Sequence, residues 1–149
     1  MVKERILEVY NDSFEHCLAK EGFLPRFYEL FTASSPEVRD KFKDTDLRRQ
    51  AWILRKSLYV LTMASVGTGE ARDELIRLGN SHGPRGLNIP AALYDLWLEC
   101  LLRAVEEFDA NWSPEVERSW REMLGPHIAV LKSYSCARPE SADLENSPG

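Results

Sequence analysis

The sequence predicts an all-α fold, and three observations carry that reading. Nearly every long segment repeats its apolar residues at three- and four-residue steps. Strand-like alternation is scarce. The segments are punctuated by Ser-Pro-Glu and Gly-Pro signals of the kind that start and stop helices.

Residues 3–19 place Ile6, Val9, Tyr10, Ser13, Phe14, Cys17 and Leu18 on one stripe, and Gly22 stops that helix. Pro25 suits the first turn of the next helix, where a missing N–H costs nothing, and Leu24, Phe27, Tyr28 and Phe31 form its inner face. Ser35-Pro36-Glu37 is a start signal: a capping hydroxyl, a first-turn proline, then an acid at the positive helix end. A short turn of helix follows, ending near Phe42. Thr45 or Asp46 caps a long helix whose apolar stripe is Leu47, Leu54, Leu58 and Leu61, with Gln50 in line.

Gly67 and Gly69 make the next break. The shorter helix "EARDELIRLGNSH" is closed by Gly83, Pro84 and Gly86. Pro90 opens a helix to about Phe108, with Leu93, Tyr94, Trp97, Cys100, Leu101 and Ala104 inward. Ser113, Pro114 and Glu115 start the last helix, which carries Val116, Trp120, Met123, Leu124, Ile128 and Leu131. Gly125-Pro126 inside it predicts a kink or a loosened turn. Residues 1–135 read as one domain. Residues 136–149, "CARPESADLENSPG", read as a disordered tail because they are polar and rich in Pro and Ser.

The totals narrow the function classes. A length of 149 residues with 44% hydrophobic and 29% charged residues is enough for one domain with a true core. The net charge of -5 argues against nucleic acid as a partner. No apolar run approaches the roughly 20 residues that span a bilayer, so no membrane partner is expected. Cys17, Cys100 and Cys136 are odd in number and lack metal-type spacing; they read as reduced thiols in a cytoplasmic protein.

The informative residues are polar ones on apolar faces. His82 sits on the last turn of a helix that breaks at once on Gly83-Pro84. One reading is a solvated cap that favours the negative helix end. The other is a metal ligand, its second ring nitrogen donating to a free carbonyl of that turn such as that of Leu78. Gln50 reads either as a half-exposed amide or as a hydrogen-bonding group in a pocket. Tyr28, between Phe27 and Phe31, reads either as core or as a hydroxyl donor into that same pocket. Phe42 is either a hydrophobic staple or a ring stacked on a flat aromatic ligand. His16 and His127 read as surface or packing residues.

Taken together, "FYELFTASSPEVRDKF" (27–42), "RRQAWILRKSL" (48–58), "RLGNSHGPRGLNIP" (77–90) and "WSPEVERSWREML" (112–124) resemble the globin family, over roughly residues 3–135. The resemblance is to bacterial single-domain haemoglobins, related to the haem domain of flavohaemoglobins. It implies a globin fold around a buried haem b, with His82 as the iron ligand. Phe42, six residues after Pro36, would pack on the haem. Gln50, with Leu54 one turn on, would face the bound gas beside Tyr28, or Phe27 if the helix is rotated. Leu78, Leu87, Ile89, Leu93, Tyr94 and Trp97 would line the proximal side. Arg49 or Arg85 would stand in for a propionate partner, because Trp52 and Ile53 occupy the place where a basic residue is common.

The resemblance implies a five-coordinate iron that binds oxygen and other diatomic gases, since no second histidine stands opposite His82. It also admits an enzyme, a nitric oxide dioxygenase fed by a separate electron-donating reductase. A gas sensor module built on haem, or a haem-free interaction module, completes the set of alternatives.

Overall fold

The computed structural model describes residues 4–65 and 90–146, with side chains described through 63 and from 90 to 133. The described residues form six helices and no strand: α1 (Glu4–Leu18), α2 (Phe23–Ser34), α3 (Pro36–Phe42), α4 (Leu47–Ser65), α5 (Ala91–Phe108) and α6 (Pro114–Asn146). The short helix expected to end at His82 lies outside the described residues.

The helix ends follow from local chemistry. Ser35 Oγ accepts from the Glu37 N–H at 3.1 Å, and Pro36 occupies the first turn of α3. Asp46, not Thr45, caps α4: its Oδ1 accepts from the N–H groups of Arg48 (3.1 Å) and Arg49 (3.4 Å). Ser113 Oγ accepts from the Val116 N–H at the start of α6. Gly22 stands where α2 begins, and a Cβ there would lie 3.3 Å from the Phe108 ring, so its small size lets α2 and α5 converge.

The core forms where α2 packs along α5 and α1 along α6. Tyr10, Phe14, Phe23 and Trp120 cluster at its centre, with Tyr10 and Trp120 edge to face at 5.0 Å. Trp120 is fully buried, and its indole N–H donates to Ser13 Oγ at 2.8 Å. That bond explains a serine on the apolar stripe of α1. Buried Asp109 closes the turn between α5 and α6 by accepting from the Asn111 N–H and facing Nδ1 of exposed His16 at 3.3 Å. Cys17 and Cys100 are free and buried.

One expectation changes. Leu47, expected inward, is 38% exposed, because the first turn of α4 stands clear of the core before the stripe begins at Leu54. Helix α6 runs unbroken through Gly125-Pro126. Pro126 leaves the Glu122 carbonyl without its donor, but both residues are exposed, so water can serve it. Meanwhile Trp120, Leu124, Ile128 and Leu131 hold the buried face on both sides. Backbone helix also continues past residue 136 to Asn146, into the segment whose composition reads as a tail.

Candidate functional site

α2, α3, α4, α5 and α6 enclose a cavity of about 290 Å³. Tyr28 and Phe31 reach it from α2, and Val38, Lys41 and Phe42 from α3. Gln50, Ile53, Leu54, Ser57 and Leu61 come from α4, Leu93, Tyr94 and Trp97 from α5, and Ile128 and Leu131 from α6. Each helix presents a three- or four-residue repeat to it, which is why residues so far apart in the chain meet there.

Seven of the residues singled out in the sequence line this one space: Tyr28, Phe42, Gln50, Leu54, Leu93, Tyr94 and Trp97. Leu78, His82, Leu87 and Ile89 lie outside the described residues. Phe27 is fully buried behind the wall, stacked on Phe31 at 5.3 Å and edge-on to Tyr28 at 4.9 Å, so Tyr28 and not Phe27 faces the cavity. Ile53 faces the cavity, whereas its neighbour Trp52 is 65% exposed.

Phe31, Leu61, Ile128 and Leu131 were legible only as core residues. Their stripes say that they face inward, but not that an open space lies there. Val38 and Lys41 on α3, Thr45 in the loop after it and Ser57 on α4 carried no signal of this kind. Among the described residues no group of three or more His, Cys, Asp or Glu forms a metal cluster.

The polar groups of the cavity are few. The Tyr28 hydroxyl donates to the backbone carbonyl of Gln50 at 3.4 Å. Burial raises the pKa of the Tyr28 phenol, so it keeps its proton and remains a donor. The Gln50 side-chain amide makes no hydrogen bond to a described residue and is half-buried. The Tyr94 hydroxyl is buried and has no partner among the described residues, and burial pushes its pKa up to about 12. A buried orphan hydroxyl is uncommon and calls for a polar neighbour that the helices themselves do not supply.

These features fit a flat aromatic group with polar edges. The walls are mostly aliphatic and aromatic, and the Phe42 ring stands 5.7 Å from that of Tyr28 and 6.0 Å from that of Phe31. The protonated donors are confined to a few points. A mostly apolar enclosure of five helices with a few protonated donors is compatible with a haemoglobin-like protein.

The comparisons agree. No known family profile matches the chain. A crystal structure of the protein PA3967 from Pseudomonas aeruginosa PAO1, described as structurally highly homologous to a human hemoglobin, superposes with a TM-score of 0.82. It is 40% identical, and the match covers 87% of this chain and 97% of that one. The flavohemoprotein of Bacillus thuringiensis subsp. konkukian (strain 97-27) is 29% identical over 130 residues, covering 84% of this chain. That of Bacillus cereus (strain ATCC 10987 / NRS 248) is 28% identical over 129 residues. The chain spans 31% of the length of each of these curated relatives. It belongs to the globin family and is related to the haem domain of flavohemoproteins.

Proposed function

We propose that this globin binds haem b in the cavity between α2 and α6, with His82 as the iron ligand, and that it takes up oxygen and other diatomic gases there. The observation that carries the reading is one cavity that gathers Tyr28, Phe42 and Gln50 from separate helices. When bound, haem supplies an iron centre with one position open to a gas. The chain's own residues do the rest. Phe42, Leu54, Leu93 and Trp97 give the slot its apolar walls and limit the entry of water. Tyr28 holds a proton at its hydroxyl, and Gln50 brings an amide to the same wall. Both can donate to a ligand that gains negative charge, and such charge-assisted bonds are the stronger kind. Tyr94 offers its unpartnered hydroxyl to a polar group within the same space.

The test is spectroscopic. Protein titrated with hemin, then reduced under argon, should show a Soret band and a five-coordinate ferrous spectrum at neutral pH. Failure to take up hemin would remove the reading, and a six-coordinate low-spin ferrous spectrum would remove the open iron position.

The match to flavohemoproteins favours a second reading, a nitric oxide dioxygenase. Nitric oxide, oxygen and one electron combine to give nitrate. On this reading the electron would be supplied by a reductase. Steady-state nitric oxide consumption with an added reductase separates this from gas binding alone.

A further inference from the structure

We propose that the outer face of α4 is the docking site for an acidic electron-donor protein. Helix α4 has two unlike faces. Gln50, Leu54, Ser57 and Leu61 line the cavity. On the opposite side, Arg48, Trp52, Lys56, Tyr59 and Met63 follow one another at three- and four-residue steps and form a single exposed face. Trp52 is 65% exposed, Met63 48% and Tyr59 47%, which is unusual for large apolar side chains so close together on one helix.

The charge on this face is one-sided. Residues 47–65 contain Arg48, Arg49, Arg55 and Lys56 and no acidic residue, in a chain whose net charge is -5. On other helices several basic side chains are paired: Arg5 with Glu115, Arg26 with Glu107, Arg121 with Glu99 and Lys132 with Asp95. Arg48, Arg49 and Lys56 have no carboxylate within ion-pair distance among the described residues. A cationic patch on an acidic protein is complementary to a carboxylate-rich surface and steers its approach.

The occupant is a protein rather than an anionic bilayer for two reasons. Arg, Trp, Tyr and Met are the residues over-represented in protein–protein interfaces. The Tyr59 ring is also held edge-on against Phe14 at 5.1 Å and so is not free to turn into lipid, and the acidic remainder of the chain would be repelled by an anionic plane.

That the partner delivers electrons rests on the haem reading above. A protein seated on the outer face is separated from the cavity by one helix, about 10–12 Å across. On that reading one electron would pass from the partner's flavin or iron–sulfur centre to haem held in the cavity, with no bond made or broken in the chain.

The probe is a plant-type [2Fe–2S] ferredoxin, a small acidic electron carrier, titrated into the full chain by calorimetry at low and high salt, with and without hemin. Binding should weaken steeply with salt. It should weaken by more than about tenfold in R48E/K56E and in Trp52→Ala. Helical content and hemin uptake should not change, since none of these side chains lines the cavity. Reduction of the hemin-loaded protein should slow by a similar factor in the variants. Equal binding by the variants, or no binding at low salt, overturns the proposal. So does association with phosphatidylserine vesicles or with a second copy in place of ferredoxin. Salt-sensitive, Arg48-dependent docking to a protein that takes up no hemin keeps the docking face and overturns the haem reading instead.

Discussion

The Tyr28 hydroxyl donates to the backbone carbonyl of Gln50 at 3.4 Å, and so ties α2 to α4 along the wall of the cavity. The bond lies at the long end of the useful range. A phenol has a single proton, so donation to a ligand must replace donation to this carbonyl, and a long bond is the kind that yields. Tyr28→Phe should therefore cost less than about 1 kcal/mol of folding stability in urea unfolding. In the haem-loaded protein it should speed oxygen release roughly 10- to 150-fold, the equivalent of a hydrogen bond to a charged group. Carbon monoxide, which is far less polar, should respond much less. Stopped-flow dissociation decides this, and an unchanged oxygen rate would leave Tyr28 tied to Gln50 in the liganded protein.

His82→Ala should take up hemin weakly or not at all, because the described cavity wall contains no histidine. Hemin titration followed at the Soret band measures it. A normal ferrous spectrum with undiminished affinity would place the iron on another residue.

Ser13→Ala should destabilise the fold by about 1–3 kcal/mol, since it leaves the indole N–H of fully buried Trp120 without its acceptor. The urea midpoint should fall with little change in slope. Loss of less than a few tenths of a kcal/mol would mean that water reaches the indole.

Stability should be lost at alkaline pH. The phenols of Tyr10, Tyr28 and Tyr94 are raised above their ordinary value of 10 by burial, and the Cys17 thiol is pushed from 9 to about 12. The unfolded chain therefore loses these protons first. Their contribution is complete below pH 9 and falls as pH rises toward the folded-state values, by about 1.4 kcal/mol per pH unit for each group in the window. Urea midpoints measured from pH 7 to pH 11 should be level at first and then drop. Tyr94→Phe should shallow the drop, and should cost the haem-free protein nothing at pH 7, because its hydroxyl has no partner among the described residues. A profile level through pH 11 would contradict the burial of these groups.

Much of the candidate site was legible before any fold was known, because it consists of residues that break a local rule. Gln50 interrupts a leucine stripe, and Phe42 is a large aromatic at the end of a short helix. Each anomaly was ambiguous by itself. Their order along the chain, with His82 behind them, was what resembled a globin. Leu47 shows the limit of such reading: periodicity predicts which side of a helix is apolar, not how far along the helix the core extends.

The sequence by itself determined the all-α class, the caps at Ser35 and Ser113, and the inward faces of α1, α2 and α5, since these depend on contacts within a few residues. Only the tertiary structure decided that Tyr28 and not Phe27 faces the cavity, and that Pro126 does not end α6. It also decided that the Tyr28 proton goes to the Gln50 carbonyl while the Tyr94 hydroxyl finds no partner among the described residues. Those outcomes depend on which helix lies opposite and at what rotation. That is settled by the summed packing of distant side chains, which no local pattern encodes.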